Sequence, residues 1–437
     1  MAMADAVAPT EPATAPASST VQVRLITKTE TPISSTPIVI PTNVTRYSLS
    51  QILNHLLENP QPIPYSFLIN SVYLPASLDE YITANGVSRE EILEIEYVRS
   101  MLPPQWEGQW TQEDWVSGVC VRDEGVVSAG YDGVVRVWDW SGNVVAKSRG
   151  GQGPLRSLKC VKWIDGGFVT GGMDGSVRVW SHSHASVSLG VEGKGHEASV
   201  DDVDYRNGKA ISAGADGTLR MWSMDPSEAA APQSQRKKRR TESAHTVKVQ
   251  HPRKPLLTQS CLTTLTTPLG LPLTAVMFHP TDNSIAYSTS LSTHLHTHDL
   301  FSESTEPITS TPFNAPLLSM ISLPPTLLAL GTSTSRILLH DPRSQTITVN
   351  TLSGHEGFVS CLAPSPDSQN IFASGSFDSH VRIWDIRNPT GSIFRLDRQD
   401  GAGRVLSLDW NARGLIAGGQ DGKLDIWTGN TTNMAKL

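Results

Sequence analysis

Hydrophobic positions first fall into register at Val21. From there Val21-Gln-Val-Arg-Leu-Ile-Thr27 alternates as a half-buried strand does. Pro37-Ile-Val-Ile-Pro41 predicts a second, short strand. Ser48-Leu-Ser-Gln51 reads as a capping box that opens a helix, with Ile52, Leu53, Leu56 and Leu57 as its apolar stripe and Pro60 just past its end. Residues 67–69 and 72–74 predict short strands, 78–83 a helical turn, and 92–97 a last alternating strand. Beyond residue 112 the pattern changes. A small-residue run leads to an Asp-Gly turn, and an alternating strand follows that ends in Trp. It first appears as Ser128-Ala-Gly-Tyr-Asp132-Gly-Val-Val-Arg-Val-Trp138-Asp139 and returns with Trp180, Trp222, Trp384 and Trp427 at its end.

The spacing of those tryptophans decides the larger architecture. Trp138, Trp180 and Trp222 are 42 residues apart, and Trp384 and Trp427 are 43 apart. This resembles the period and signature of WD40 repeats, each a four-stranded propeller blade. Two degenerate copies fill the long gap, with His298 and His340 in the Trp position, which gives seven blades. Before them, the order β-β-α-β-β-β within residues 21–98 resembles a ubiquitin-like β-grasp domain. The expected fold is therefore mainly β: a seven-bladed WD40 propeller over 113–430, preceded by a small α+β ubiquitin-like domain at 21–98. Residues 99–112 form the linker between them. Few residues follow Trp427, so residues 105–111 are expected to supply the outer strand of the last blade and close the ring.

Composition adds exclusions. Residues 1–20 are rich in Ala, Pro, Thr and Ser, lack the basic and apolar regions of a secretory signal, and read as a disordered tail. The apolar stretch at 315–330 is broken by Ser319, Ser322, Pro324 and Pro325, which rules out a membrane span there. The net charge of −7 argues against a surface that coats nucleic acid, so basic character must be local. Cys120, Cys160, Cys261 and Cys361 form no Cys-x-x-Cys pair, which argues against a zinc ribbon or redox motif. Cys160 and Cys361 occupy equivalent inner-strand places and read as small buried hydrophobes in a reduced, intracellular chain.

Three constellations carry possible chemistry. His196, Ser212, Asp216 and Trp222, and likewise His355, Ser374, Asp378 and Trp384, resemble the hydrogen-bonded tetrad of WD repeats. Ser, His and Asp together also suggest a hydrolase triad, but no Gly-x-Ser-x-Gly elbow is present and the set occurs in two blades, so a buried structural network is preferred. A surplus of about 34 residues between the third and fourth repeats, at roughly 225–255, carries Arg236, Lys237, Lys238, Arg239 and Arg240. This run reads either as a nuclear import signal or as a contact to RNA phosphates. His294, His296 and His298 alternate along one strand, so they share a face. Packing is preferred to zinc, because His298 fills a structural slot and only Asp299 is near to complete a site.

The combination is more specific than its parts. Tyr47-Ser-Leu-Ser-Gln-Ile-Leu-Asn-His-Leu-Leu57, Phe67-Leu-Ile69, Glu96-Tyr97, Leu102-Pro-Pro104, Glu113-Asp-Trp-Val-Ser117 and Tyr131-Asp-Gly-Val-Val135 resemble one family over nearly all of the chain after residue 20. It is the family of WD-repeat ribosome-biogenesis factors that join pescadillo and the block-of-proliferation protein on pre-60S particles. The resemblance implies a nucleolar and nucleoplasmic, non-enzymatic assembly factor for the large subunit, required for pre-rRNA processing. It also implies that the propeller binds the propeller of the block-of-proliferation protein. The ubiquitin-like domain is expected to dock on the metal-dependent adhesion-site domain of the AAA ATPase midasin. There an acidic side chain completes the coordination of a Mg²⁺ that midasin holds, and no cofactor is intrinsic to the chain. The matching loop here is Gly86-Val-Ser-Arg-Glu90-Glu91, with Glu90 as the ligand and Glu91 as its rival. A carboxylate is a suitable hard ligand for Mg²⁺.

A second reading makes the propeller a substrate receptor in a ubiquitin-ligase pathway. Asp385-Ile-Arg387 and Asp341-Pro-Arg343 match the Asp-x-Arg pattern of such receptors, although that pattern is common among WD repeats. An enzyme has less support, since the chain shows no P-loop, nucleophile elbow or paired carboxylates.

Overall fold

The computed structural model describes residues 19–28, 32–33, 36–74, 76–88, 90–148, 156–183, 186–224, 257–268, 270–324, 326–344, 346–399 and 403–429. The proposed disordered tail, apart from Ser19 and Thr20, and the basic run Arg236–Arg240 lie outside these residues. The chain divides into two compact units, Met1–Met101 and Leu102–Leu437.

The first unit is a five-stranded mixed sheet with two helices. Its strands are β1 (Thr20–Ile26), β2 (Ile38–Pro41), β3 (Tyr65–Ile69), β4 (Val72–Tyr73) and β5 (Leu93–Arg99), in the order β2-β1-β5-β3-β4. β1 and β5 pair in parallel at the centre, and the other pairs are antiparallel. Helix α1 (Arg46–Leu56) lays Leu49 and Leu53 on Val23, Phe67, Ile69, Ile95 and Tyr97, all buried. Burying each such side chain contributes about 1.5–3 kcal/mol.

Both helices differ from their sequence reading. α1 starts two residues before Ser48, because Thr45 sits in extended backbone and its side-chain oxygen accepts from Ser48 N. The buried face then becomes Leu49, Ser50 and Leu53, with Ile52 and Leu57 packed at its margin and Leu56 41% exposed. Ser50 is inside because its hydroxyl accepts from Tyr65 N at 3.1 Å. The expected turn at 78–83 is a full helix, α2 (Leu78–Asn85), capped by Ser77.

Among the described residues the second unit comprises seven sheets that succeed one another along the chain, antiparallel except for one added strand in the second. Blades 1 to 7 cover 116–147, 158–194, 200–266, 273–312, 317–353, 359–397 and 405–428. The outer strand of blade 7 is β6 (Gln105–Thr111), which pairs antiparallel with Lys423–Thr428 as expected from the sequence. Side chains stitch neighbouring inner strands together. Asp202 and Asp204 of blade 3 accept from Val276 N and Phe278 N of blade 4, both at 2.9 Å. Asp409 of blade 7 accepts from Val121 N of blade 1 at 2.7 Å. Burial pushes the Cys120 and Cys361 thiols up to about 12, which makes them packing groups rather than nucleophiles.

One boundary moves. The surplus does not separate blades 3 and 4. It enters inside blade 3, after strand Thr218–Ser223 and before that blade's outer strand, Thr263–Thr266. On its return the chain first adds Leu257–Gln259 to blade 2 as a parallel fifth strand beside Ser186–Lys194.

Candidate functional site

The turn between α2 and β5 is built to hold its tip outward. Gly86 ends α2 with φ of 62°, the left-handed conformation that glycine adopts without steric cost. Gly86 N and Val87 N both donate to Ile82 O, and Val87 packs against the core. At the other side, buried Leu93 begins β5. Of the described residues between these anchors, Ser88, Glu90 and Glu91 are exposed, and Ile92 is 42% exposed rather than part of the expected strand at 92–97. Glu90 N donates to Ser88 Oγ at 3.3 Å. Among the described residues neither glutamate makes an ion pair. Each exposed carboxylate can offer one or two oxygen ligands of the six that Mg²⁺ demands.

The two tetrads are formed and sealed. In blade 3, His196 Nε2 lies 2.7 Å from Ser212 Oγ, His196 Nδ1 lies 3.1 Å from Asp216, and Trp222 Nε1 donates to Ser212 Oγ at 2.8 Å. In blade 6 the matching distances are 2.6 Å for His355 to Ser374, 2.7 Å for His355 to Asp378 and 2.7 Å for Trp384 to Ser374. Both imidazoles have no exposed side-chain surface, so neither serine can meet a substrate. Burial lowers both His pKa values, and the facing aspartates only partly offset it. Burial alone would raise the Asp378 carboxyl, but hydrogen bonds from His355, Glu356 N and His380 N outweigh it and hold it low. These are neutral-His, ionised-Asp networks that clamp a loop to a blade, not a general-base relay.

The comparisons with known proteins bear on both units. An NLE (NUC135) domain model matches residues 21–82, and a WD domain (G-beta repeat) model matches 150–181, 189–223 and 347–385. Ribosome biogenesis protein ytm1 of Schizosaccharomyces pombe is 35% identical, covering 94% of this chain and 96% of that protein. YTM1 of Eremothecium gossypii is 34% identical over 90% and 93% of the two chains. YTM1 of Saccharomyces cerevisiae S288c is 30% identical over 94% and 98%. The chain belongs to the Ytm1 family of ribosome biogenesis proteins. Among solved structures, the WD40 propeller domain of Doa1 superposes with a TM-score of 0.58 at 19% identity, over 75% of this chain and 97% of that domain, and shows the fold alone. The matches of the WD model fall on blades 2, 3 and 6.

Within this member of the Ytm1 family, several residues do tetrad work that sequence reading did not assign. Gln112 takes the place of the histidine in blade 1. Its Oε1 accepts from Ser128 Oγ at 2.9 Å, and Trp138 Nε1 donates to the same hydroxyl. The signal was available, since Gln112 precedes Ser128 by 16 residues, as His196 precedes Ser212. In blade 2, Trp180 Nε1 donates to Thr170 Oγ1 at 2.9 Å. In blade 4, His298 Nε2 meets Ser288 Oγ at 2.9 Å, in the Trp-to-Ser geometry of the other blades. His294 and His296 stack 5.9 Å apart, and no metal-holding group of three His, Cys, Asp or Glu occurs among the described residues. In the Asp-x-Arg pairs, Arg387 is held by Asp385 at 2.6 Å and Arg343 by Asp341 at 3.1 Å, so each arginine is engaged within its own turn.

Proposed function

We propose that this chain is a non-enzymatic assembly factor of the large ribosomal subunit, anchored by its propeller and released by traction on its ubiquitin-like domain. Membership of the Ytm1 family supports a role in ribosome assembly and hence a nuclear or nucleolar place of action. The anchor is a complex with pescadillo and the block-of-proliferation propeller on pre-60S particles. The handle is Glu90, with Glu91 beside it, offered to a Mg²⁺ in the adhesion-site domain of midasin. The observation that carries this reading is the turn itself: Glu90 and Glu91 are exposed between the Gly86 cap and buried Leu93, with no ion pair among the described residues. The run Arg236–Arg240 serves import or an RNA contact.

Calorimetric titration of the full chain against the midasin adhesion-site domain tests the handle. Wild type binds in Mg²⁺ and not in EDTA, whereas Glu90→Ala loses at least about tenfold in affinity. If Glu91→Ala carries the loss instead, the ligand is Glu91. Unchanged affinity in both variants refutes the role. Co-purification of pre-60S proteins and rRNA, rather than a cullin and its adaptor, separates this reading from the ligase-receptor alternative.

A further inference from the structure

Blade 5 lacks the polar network that blades 1, 2, 3 and 6 build, and a cavity of about 670 Å³ stands at its place. Counted back from His340 in the Trp position, Leu338 replaces Arg136, Arg178, Arg220 and Arg382 of those blades. Thr334 replaces Asp132, Asp174, Asp216 and Asp378, and Leu330 replaces Ser128, Thr170, Ser212 and Ser374. Phe313 stands four residues before the inner strand, where blades 3 and 6 carry His196 and His355, and lies edge-on to His340 at 5.4 Å. The long arginine and the indole have thus given way to the smaller Leu338 and His340, while Leu330 and Phe313 are larger than the Ser or Thr and the His they replace. Space opens between the outer end of blade 4 and the strands of blade 5.

The lining suits a specific occupant. Phe313, Leu338 and Ile347 give it apolar walls, Thr334 and Thr351 add hydroxyls, and Arg336 is its single ionisable residue. Arg336 is exposed and makes no ion pair among the described residues. The volume lies within the range of about 300–1,000 Å³ typical of ligand sites. The cavity also borders a sheet edge. Asn350–Ser353 is the last strand of blade 5, and Ile347 and Val349 beside it are 46% and 55% exposed. Blade 2 shows what such an edge accepts, for its outer strand carries Leu257–Gln259 as an added parallel strand.

We propose that the blade 5 cavity and its outer edge dock an extended peptide segment of a partner protein, with an apolar side chain in the cavity and an adjacent carboxylate on Arg336. Strand addition along Asn350–Ser353 supplies main-chain hydrogen bonds. The cavity and the guanidinium supply selectivity. The site belongs to the propeller unit and does not depend on the role of Glu90.

The test uses the full chain with labelled Ile and Leu methyl groups. The probes are the blocked peptides acetyl-Gly-Phe-Asp-Gly-amide and acetyl-Gly-Asp-Phe-Gly-amide, with Asn in place of Asp as controls. At least one Asp peptide is expected to shift the Ile347 and Leu338 methyls saturably, and its Asn control to bind about tenfold more weakly. Arg336→Gln should bring the two within about twofold. Thr334→Asp with Leu338→Arg, which rebuilds the ion pair of the other blades, should fill the cavity and abolish binding. Should that double variant fail to fold, Arg336→Gln still decides. Equal binding of Asp and Asn peptides overturns the proposal. So does full binding by the folded, filled variant, or no saturable shift at these methyls up to about 5 mM peptide. Binding of N-acetylphenylalanine without either blocked peptide overturns it in favour of a small carboxylic acid.

Discussion

Arg398 Nε donates to Asp425 Oδ2 at 2.6 Å, and neither side chain has any exposed surface. This pair is an inversion of the pattern elsewhere. Two residues before the closing Trp, blades 1, 2, 3 and 6 carry arginine, and Arg136 and Arg178 reach Asp132 and Asp174 at 2.5 Å. Blade 7 has Asp425 at that position. An arginine from the preceding loop answers it and also reaches Asp421 at 2.9 Å and Gly403 O at 2.8 Å. Asp425 Oδ1 meanwhile accepts from Gln109 Nε2 at 2.9 Å, across the seam to β6. One buried carboxylate therefore joins the last blade to the strand that closes the ring.

Asp425→Ala should be among the most destabilising single changes in the propeller. It leaves Arg398 buried with a reduced set of partners and frees Gln109 and Trp106 from the seam. Breaking a buried pair by removing one member costs about 3–5 kcal/mol. All 11 tryptophans lie at Trp106 or beyond, so tryptophan fluorescence during urea unfolding reports on this unit alone. Arg398→Met with Asp425→Leu should recover much of the loss. If the single variant costs under about 1 kcal/mol, the pair does not hold the seam.

The closing strand is expected to matter independently of what precedes it. A chain that begins at Leu102 should melt with wild-type propeller stability, and one that begins at Gln112 should not. The second loses the ladder between β6 and Lys423–Thr428 and the stack of Trp110 on Trp138 at 5.6 Å. It also bares a sheet edge, and the loss should exceed about 3 kcal/mol. Equal melting of the two chains would show that blade 7 stands on three strands.

These elements differ in how far the sequence betrays them. The blades were legible because an Asp-Gly turn and a buried Trp are local requirements repeated at a fixed period. β6 was legible because Gln105–Thr111 precedes the first blade and pairs with the last, Lys423–Thr428, as a closed ring requires. The start of α1 was misread because Ser48 and Gln51 mimic a capping box, while Thr45 wins by its extended backbone and its ties to the chain before α2: Arg46 N donates to Ala76 O, and Leu78 N to Val44 O. The position of the insert was hidden because Thr-Thr-Leu-Thr266 is too short and polar to announce an outer strand. Arg398 was invisible for a deeper reason: a charge inversion is recognised only once its partner 27 residues on is known to be its neighbour in space. Of the candidate site, the loop with its two glutamates was legible only through family resemblance, because an exposed carboxylate leaves no pattern.

Acid should loosen blade 4 before it protonates most carboxylates. Burial, and then the charge of the neighbouring histidine, lower the His296 pKa to about 4 and the His298 pKa to about 3. The unfolded chain holds these groups near 6.5, so below that pH the unfolded state binds protons that the folded state refuses. Their contribution is complete above pH 6.5. It falls as pH drops, by up to about 1.4 kcal/mol per pH unit for each group, until the folded values are reached. The urea midpoint followed by tryptophan fluorescence between pH 7 and pH 4.5 should decline accordingly. His296→Leu, which places at this position the residue type that blade 5 carries as Leu338, should make the decline shallower by about one proton. An unchanged slope would mean that His296 titrates freely in the folded chain.

Gly86 offers a way to disturb the candidate handle without touching its carboxylates. A Cβ added there would meet nothing within 4 Å, so no clash contributes, and the penalty of Gly86→Ala comes only from the left-handed backbone at φ of 62°. That penalty is about 1–2 kcal/mol, and Gly86→Asn should lose less because asparagine tolerates this conformation. The first unit contains no tryptophan, so hydrogen exchange of the Phe67 and Ile95 amides in the full chain is the appropriate probe. Exchange of both should quicken in the order wild type, Asn, Ala. The Ala variant relieves its strain by shifting the turn from Gly86 to Leu93, which moves Glu90 relative to its anchors. Affinity for the Mg²⁺-loaded adhesion-site domain should then fall in the same order, although both glutamates remain. If exchange quickens as expected and affinity does not change, the turn's geometry is irrelevant and any contact through Glu90 is made by a flexible side chain alone.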